Sequence, residues 1–421
     1  MKKRYAVIAG AAALALTITG CGRAETPTGQ GSAAGNPVNT GAAASGTLEV
    51  WAMGAEGDEL KAVTDKFMTA NPGVKVNVTS IPWSSAHDKF VSAAAANVLP
   101  DVAQVGTTWV AELAQQIDPT PSNFDTTKFL EGAQKTTVVN GTSLGVPWYV
   151  ETRVVYYNKA VAAKAGVTAD PTTWDEFFAM VKAMKEKGGA KYGISMLPGG
   201  EGSWQTVLPL MWSAGGKINT DDAKTWTFDD PKNVEGLKFY QDFFSQGLAN
   251  KAPVGDTLVA DFASGKVPMF ISGPWMMSGV ETTGKMKKDD YGVFAMPTKV
   301  SGASFIGGSN LAVFKSTKNR DTAWKLVDYL TQSQTQVEWF KTIGDLPSVK
   351  TALADPAVTG DAKFAVFAEQ LKTAYAPPSV ATWEQVAKQF DSTVEKVTRT
   401  GADPDASLKA LQQQATSVGM G

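Results

Sequence analysis

The stretch TLEVWAM (residues 47–53) alternates apolar and polar side chains, which is the pattern of a β-strand. Residues 58–71 follow with apolar positions at helical spacing and end at Asn-Pro-Gly, and VKVNV (residues 74–78) alternates again. Residues 84–97 form a second helical stretch, and LPDVAQV (residues 99–105) is typical of a short buried strand. Strand, helix, strand, helix, strand is the order of a parallel sheet with crossover helices, so this segment predicts an α/β fold.

The order of elements becomes less regular beyond residue 105. GVPWYVETRVVYYN (residues 145–158) is a long extended segment of the kind that passes from one lobe to another. TWDE (residues 173–176) is a capping box that opens a helix, and this helix ends at a Gly pair (residues 188–189). Further helices are predicted at residues 233–247, 323–340, 362–373 and 383–398, and further strands at residues 267–271 and 311–314.

The first 21 residues have the features of an export signal. Lys2, Lys3 and Arg4 give a positive start, residues 6–18 are almost entirely apolar, and ITGC ends at Cys21. The apolar run is shorter than the roughly 20 residues of a membrane-spanning helix. ITGC resembles the lipobox of bacterial lipoproteins, in which the cysteine is acylated. We therefore predict a signal peptide (residues 1–20) and a lipid anchor on Cys21 at the extracytoplasmic face of the cell membrane; the alternative is a plain signal peptide.

Composition limits the function classes. Residues 21–46 are rich in Gly, Ala, Thr, Ser and Pro, which predicts a flexible tether. Lys and Arg total 39 against 41 Asp and Glu, a net charge of −2 that favours no nucleic acid partner. The remaining length suffices for two lobes, because single cores stop growing near ~250–300 residues. A single histidine, His87, excludes a multi-histidine zinc site and makes a Ser-His-Asp hydrolase improbable.

Taken in order, eight short segments resemble the extracellular solute-binding proteins of ABC importers, in the sugar-binding family that includes maltose- and trehalose-binding proteins. They are LEVW (48–51), LPDV (99–102), PWYVE (147–151), YYNK (156–159), TTWDEF (172–177), GKVPMF (265–270), GPW (273–275) and GGSN (307–310). The resemblance implies two α/β lobes joined by a hinge, with the ligand in the cleft between them. It also implies a monomer without cofactor or catalytic residues that delivers a sugar to the permease subunits of an ABC importer. No metal-ligating residues are predicted.

In this family the chain crosses between the lobes more than once. We place the crossings near Val155, Ser304 and Pro347. The expected division is lobe 1 at residues 47–155 with a return segment at 304–346, lobe 2 at residues 156–303, and a C-terminal helical part at residues 347–421 that belongs mainly to lobe 2.

The segment that enters the hinge carries the first candidate binding residues. Tyr149 and Glu151 fall where the family places an aromatic and an acidic ligand residue, although Glu151 also fits an exposed turn carboxylate. Arg153 lies on the same side of the strand as Glu151, so it either pairs with that carboxylate or reaches the ligand. The family more often has a small residue there. Trp275 fits the family's stacking tryptophan, with a core ring as the alternative.

Other candidates come from both halves of the chain. Gly308, Ser309 and Asn310 are expected on a tight loop where glycine lets the backbone approach a ligand. Glu56 is either a ligand residue or a first-turn carboxylate favoured by the helix dipole. Thr107 and Thr108 follow the third strand, where the family often has a polar ligand residue.

The remaining aromatic residues divide into three groups. Trp204 lies in a Gly-rich loop that can overhang a cleft, and Trp109 fits the core as well as the site. The other assignments are possible site positions for Trp83 and Trp383, core positions for Trp174, Trp324 and Trp339, and a helix-face position for His87. Twelve tryptophans favour a di- or oligosaccharide, because a flat ring stacks on the C–H face of a sugar.

Two other functions stay open at this point. A secreted glycoside hydrolase needs only two carboxylates that flank the scissile bond, so a single histidine does not exclude it. A binding protein of the same fold for a charged solute is the other alternative. The candidate loops lack the Arg and Lys cluster that a phosphate ester requires, and they lack the clustered acids expected for a polyamine.

Overall fold

The structure is a computed structural model that describes residues 35–253 and 257–421. The predicted signal peptide, the predicted lipidation site Cys21 and the first part of the tether lie outside the described residues. Within the described ranges, no helix is long and apolar enough to cross a membrane.

The described residues form both strands and helices. The strands are β1 (Gly46–Met53), β2 (Val74–Ile81), β3 (Val102–Gly106), β4 (Val138–Val139), β5 (Thr142–Ser143), β6 (Val146–Thr152), β7 (Val154–Asn158), β8 (Met269–Ser272), β9 (Tyr291–Phe294), β10 (Ser304–Val313), β11 (Leu346–Pro347) and β12 (Ala374–Tyr375). The helices are α1 (Gly54–Ala70), α2 (Trp83–Ala96), α3 (Glu131–Lys135), α4 (Lys159–Ala165), α5 (Trp174–Glu186), α6 (Trp204–Ser213), α7 (Pro231–Ser245), α8 (Leu258–Ala263), α9 (Met276–Thr282), α10 (Arg320–Leu330), α11 (Ser333–Ile343), α12 (Lys350–Leu353), α13 (Pro356–Thr359), α14 (Ala362–Gln370), α15 (Trp383–Glu395) and α16 (Pro404–Val418).

A large sheet has the strand order β11-β6-β10-β3-β1-β2, and β12 pairs with the start of β10. β1 lies between β2 and β3 and is parallel to both, which confirms the parallel arrangement predicted from residues 47–105. β10 runs antiparallel to β3 and β6, so a strand from late in the chain enters the middle of the sheet. We call this sheet with α1, α2, α10 and α11 the first lobe.

A small antiparallel sheet has the order β8-β7-β9. We call it, with α4 to α9, α15 and α16, the second lobe. The extended segment predicted at residues 145–158 is therefore two strands in two sheets, β6 and β7, and the chain passes between them at Arg153.

The capping box predicted at residues 173–176 is confirmed. The Thr173 side chain accepts a hydrogen bond from the Glu176 backbone N–H, while the Glu176 carboxylate accepts one from the Thr173 backbone N–H.

Buried hydrogen bonds hold the strands that line the lobe crossing. The Gln336 amide of α11 donates to the carbonyl of Trp148, and its oxygen accepts from the backbone N–H groups of Ser348 at 3.0 Å and Val349 at 3.2 Å. Gln336 is buried, so each of these bonds satisfies a group that water cannot reach. They hold β6 beside β11. They thereby position Tyr149 of β6 and Asp345, which directly precedes β11.

The predicted flexible tether (residues 21–46) extends too far along the chain, because residues near its C-terminal end are attached to the first lobe. Gly35 bonds the backbone of Thr120, Val38 is buried in the core of the first lobe, and the carbonyl of Asn36 accepts a hydrogen bond from Arg320 at 2.9 Å. Composition missed this attachment because one apolar side chain and a few backbone groups are sufficient to anchor a short polar segment.

Candidate ligand-binding cleft

A cavity of about 780 Å³ lies between the two lobes. Nine of the eleven predicted site residues line it: Glu56, Thr107, Thr108, Tyr149, Glu151, Arg153, Trp204, Trp275 and Gly308. They come from α1, the end of β3, the β6–β7 crossing, α6, the turn before α9 and β10, so residues far apart in sequence face one space.

Ser309 and Asn310 do not line the cavity. Both are buried in β10 rather than on the predicted loop, and the pairing of β10 with β6 shifts register between them. The Asn310 amide donates to the Thr136 hydroxyl at 3.1 Å, and the Ser309 hydroxyl donates to the Tyr149 hydroxyl at 3.2 Å. The prediction of a tight loop failed because the antiparallel pairing of this segment with β3 and β6 is a long-range contact.

Gly308 does lie at the cavity wall, and its backbone requires glycine. Its φ is +119°, and a Cβ added there would meet the carbonyl oxygen of Tyr149 at 2.2 Å. The absence of a side chain lets β10 pass close to β6 at the base of the cleft.

A hydrogen-bonded cluster fixes Glu56 and Tyr149 on the first-lobe side. The Tyr149 hydroxyl donates to the carboxylate of Glu56, and the Gln104 amide donates to Glu56 Oε1 at 3.2 Å and to Ser309 Oγ at 3.1 Å. Burial raises the pKa of Glu56 above its ordinary value, despite these bonds to its charged form. Gln104 was missed by the sequence analysis, although a lone polar residue in the strand VAQVG could have indicated it.

The contacts of Arg153 show whether it pairs with Glu151, which was one of the two alternatives for this residue. Its Nη1 lies 3.1 Å from Glu151 Oε2, and its Nη2 donates to Gln205 Oε1 at 2.6 Å. The guanidinium also lies over the Trp275 ring, 4.6 Å from the ring centre, which is a cation–π contact. Arg153 therefore pairs with Glu151 and also lines the cavity, and its side chain covers a face of Trp275.

Asp345 lines the cavity but is absent from the residues predicted from the sequence. It is 7% exposed and accepts a hydrogen bond from Trp339 Nε1 at 3.3 Å. Burial, together with the negative charges of Glu56 and Glu151, raises its pKa well above the ordinary value. Its sequence signal was an acidic residue directly before the apolar pair of β11, where a lobe crossing was already expected.

A buried carboxylate organises the second-lobe wall. Asp391 of α15 accepts hydrogen bonds from the backbone N–H of Gly202 and of Trp204, both at 2.9 Å, and from the Ser203 hydroxyl at 2.8 Å. It thus fixes the start of α6 and with it Trp204. Trp383 packs edge-on against Trp204 with ring centres 5.1 Å apart and does not line the cavity.

Aromatic residues of the first lobe also line the cavity. The rings of Trp83 and Trp109 lie 5.9 Å apart, and His87 lies 5.2 Å from Trp109. His87 projects from α2 as predicted but also lines the cavity, and its Nε2 lies 2.8 Å from the Glu112 carboxylate. The hydrogen bond with Glu112 raises the pKa of His87. Trp174, Trp324 and Trp339 are buried, as predicted.

The described residues contain no group of three or more His, Cys, Asp or Glu side chains arranged to hold a metal ion. What the cleft offers is carboxylates and an amide for hydroxyl groups, with indole rings for apolar faces. This arrangement suits a molecule that carries both hydroxyl groups and C–H faces.

We predict that Asp345→Asn changes the pH dependence of stability. A carboxyl whose pKa is higher in the folded state destabilises the fold as the pH rises above its ordinary pKa, because the unfolded state then loses its proton more readily. The thermal midpoint of the variant should exceed that of the wild type by about 2 °C or more near pH 7.5, and by less near pH 4. Asp289→Asn, at an exposed position, is the control. An advantage of equal size at both pH values would contradict the assignment.

Comparison with known proteins gives one family. The sequence model of a family described as bacterial extracellular solute-binding protein matches residues 51–337. A diacetylchitobiose-binding protein of Streptomyces coelicolor is 28% identical over 400 residues, which cover 92% of this chain and 91% of the relative. A maltotriose-binding protein of Pyrococcus abyssi is 25% identical over 395 residues, covering 88% and 82% respectively.

A solved structure shares the architecture. The structure of the sugar-binding protein MalE from Xanthomonas citri superimposes with a TM-score of 0.79 at 30% sequence identity, covering 89% of this chain and 97% of that one. The two-lobe α/β fold predicted from the sequence is thereby confirmed.

Proposed function

The chain belongs to the family of bacterial extracellular solute-binding proteins, and from this membership and the geometry of the cleft we propose that it captures a carbohydrate and delivers it to the permease of an ABC importer. The family places the protein outside the cytoplasm. Its members and the relatives described above bind solutes and are not enzymes.

The observation that carries the proposal is the composition of the cavity wall. Glu56, Glu151 and Asp345 supply acceptors for sugar hydroxyl groups, while Trp83 and Trp275 supply flat apolar surface. A cavity of about 780 Å³ is within the range of small-molecule sites, and it lies between two lobes, where such sites are common. The named relatives bind sugars of two or three units, which supports a di- or oligosaccharide as the ligand.

We propose that hinge bending at the lobe crossings opens and closes the cleft. The Ser304 hydroxyl donates to the Arg153 carbonyl at 2.7 Å, so two of the crossings are tied together at one point. The third crossing follows β11, because Pro347 still pairs with Tyr149 in the large sheet. A ligand that contacts both lobes stabilises the closed form by its differential affinity for that form.

We propose that the chain acts as a monomer and is held at the membrane by a lipid on Cys21. The support for the anchor is the order of positive residues, apolar run and ITGC at the N-terminus. One acyl chain binds a bilayer only marginally, so stable anchoring requires more than a single chain on this cysteine.

We predict that Cys21→Ser releases the protein from the membrane. Without a thiol the lipid cannot be attached, and no other cysteine can replace it. Cells are grown with labelled palmitate and fractionated. The wild-type protein should be labelled and found in the membrane fraction, whereas the variant should be unlabelled and absent from that fraction. Thr26→Ala is the control. Labelled, membrane-bound C21S protein would refute the anchor.

A thermal-shift screen of the purified protein tests the function. The panel is mono-, di- and oligosaccharides, with amino acids, phosphate esters and polyamines as competing classes. A ligand that binds only the folded state raises the unfolding midpoint in proportion to RT ln(1 + [L]/Kd). We expect a concentration-dependent rise with one class of saccharide. If only a charged solute raises the unfolding midpoint, that solute and not a carbohydrate is the ligand.

We predict that Trp275→Ala and Glu151→Ala each weaken binding of the saccharide found in the screen by about 1–4 kcal/mol. The first removes an aromatic surface and the second leaves Arg153 without its carboxylate partner. Isothermal titration gives the affinities. Tyr375→Ala and Glu186→Ala, neither of which lines the cavity, are the controls. Wild-type affinity in both cleft variants would exclude this assignment of the site and leave the fold assignment intact.

A further inference from the structure

A second cavity of about 210 Å³ lies in the second lobe beside the main cleft. Five residues line both spaces: Arg153, Leu197, Gly202, Gln205 and Trp275. The two cavities are therefore neighbours that share a wall, and this wall is made largely of side chains.

The shared wall depends on the position of one long side chain. Arg153 is only 8% exposed and is held at four points, by the Glu151 carboxylate, by the Gln205 amide oxygen at 2.6 Å and by the rings of Trp275 and Phe305. All of these contacts are made by the guanidinium at the end of a flexible side chain. At this point the wall is therefore formed by a side chain and not by the backbone.

The second cavity offers free hydrogen-bonding groups. The hydroxyls of Ser195 and Ser272 and the amide nitrogen of Gln205 make no hydrogen bond to any of the described residues, and each is only partly buried. The Thr206 hydroxyl, by contrast, is already bonded to the Ser203 carbonyl and to Tyr240. These three free groups remain available to a bound molecule.

Apolar side chains form the rest of this wall. Phe270 and Ile271 of β8 lie beside Met196, and the Trp275 ring closes the side towards the cleft. Unbonded hydroxyls next to aliphatic and aromatic surface match a sugar ring, which carries hydroxyls at its rim and C–H groups on its faces. A charged group would find no opposite charge on the far side of Arg153.

We propose that the second cavity is a terminal subsite for one sugar residue of an oligosaccharide whose other residues occupy the main cleft, with Arg153 as its gate. This inference rests on the proposed function. A short saccharide fills the main cleft and leaves Arg153 on Trp275. A longer one displaces the guanidinium, exchanging its protein contacts for contacts with ligand hydroxyls, and places its end unit against Ser195 and Ser272.

The test fills the second cavity from residues that do not line the main one. Ser272→Leu and Ser195→Leu insert an isobutyl group from different chain segments. Ser278→Leu, at an exposed position on α9, is the matched control. The probes are maltodextrins, chitin oligosaccharides and galacto-oligosaccharides of two to five units, measured by isothermal titration, with circular dichroism to verify folding.

We expect the wild type and S278L to bind one series with an affinity that rises with length. In S272L and S195L the ratio of the affinities for the longest and shortest members should fall at least tenfold, about 1.4 kcal/mol. If either folded variant keeps the wild-type ratio, or if the wild type shows no length dependence, the subsite is refuted and the carbohydrate function stands. If no saccharide binds to the wild type, the proposed function fails and the subsite fails with it.

Discussion

The structure depends on one extended run that belongs to two sheets. β6 lies inside the large sheet and β7 lies at the centre of the small one, with only Arg153 between them. The backbone of each strand is satisfied by different neighbours, so hydrogen-bonded strands flank the crossing on both sides. Tyr149, Glu151 and Arg153 therefore meet at the base of the cleft, and any opening of the lobes changes their surroundings.

The same place concentrates negative charge that the fold does not fully compensate. Glu56, Glu151 and Asp345 approach one another in a partly buried space, and Arg153 contacts the Glu151 carboxylate there. Such crowding costs stability in the free protein, because buried like charges favour the protonated forms. A ligand that donates hydroxyl hydrogen bonds to these oxygens relieves that cost, which makes binding and stability opposing demands on the same side chains.

Sequence reasoning succeeded where the signal is local. The alternation in residues 47–53, the capping box at Thr173 and the helical period of α1 each depend on a few neighbouring residues. It failed where the partner is distant in sequence. Asn310 was expected at the ligand because its pairing across β10 with β3 and β6 cannot be read from its neighbours, and Trp383 was kept as a candidate because nothing local shows that Trp204 packs over it.

The sequence by itself determined the α/β class, the order of strands and helices, the expected two-lobe architecture and nine residues of the cleft wall, because hydrophobic period and short ordered motifs are properties of contiguous chain. Only the tertiary structure decided which polar groups meet. Gln104 bonds Glu56, which is 48 positions away in sequence, and Gln205 bonds Arg153, which is 52 positions away. Asp345 lies near the carboxylates of Glu56 and Glu151 but comes from a third segment of the chain. Hydrogen bonds and charge interactions act over a few ångströms in space, and the distance along the chain does not encode them.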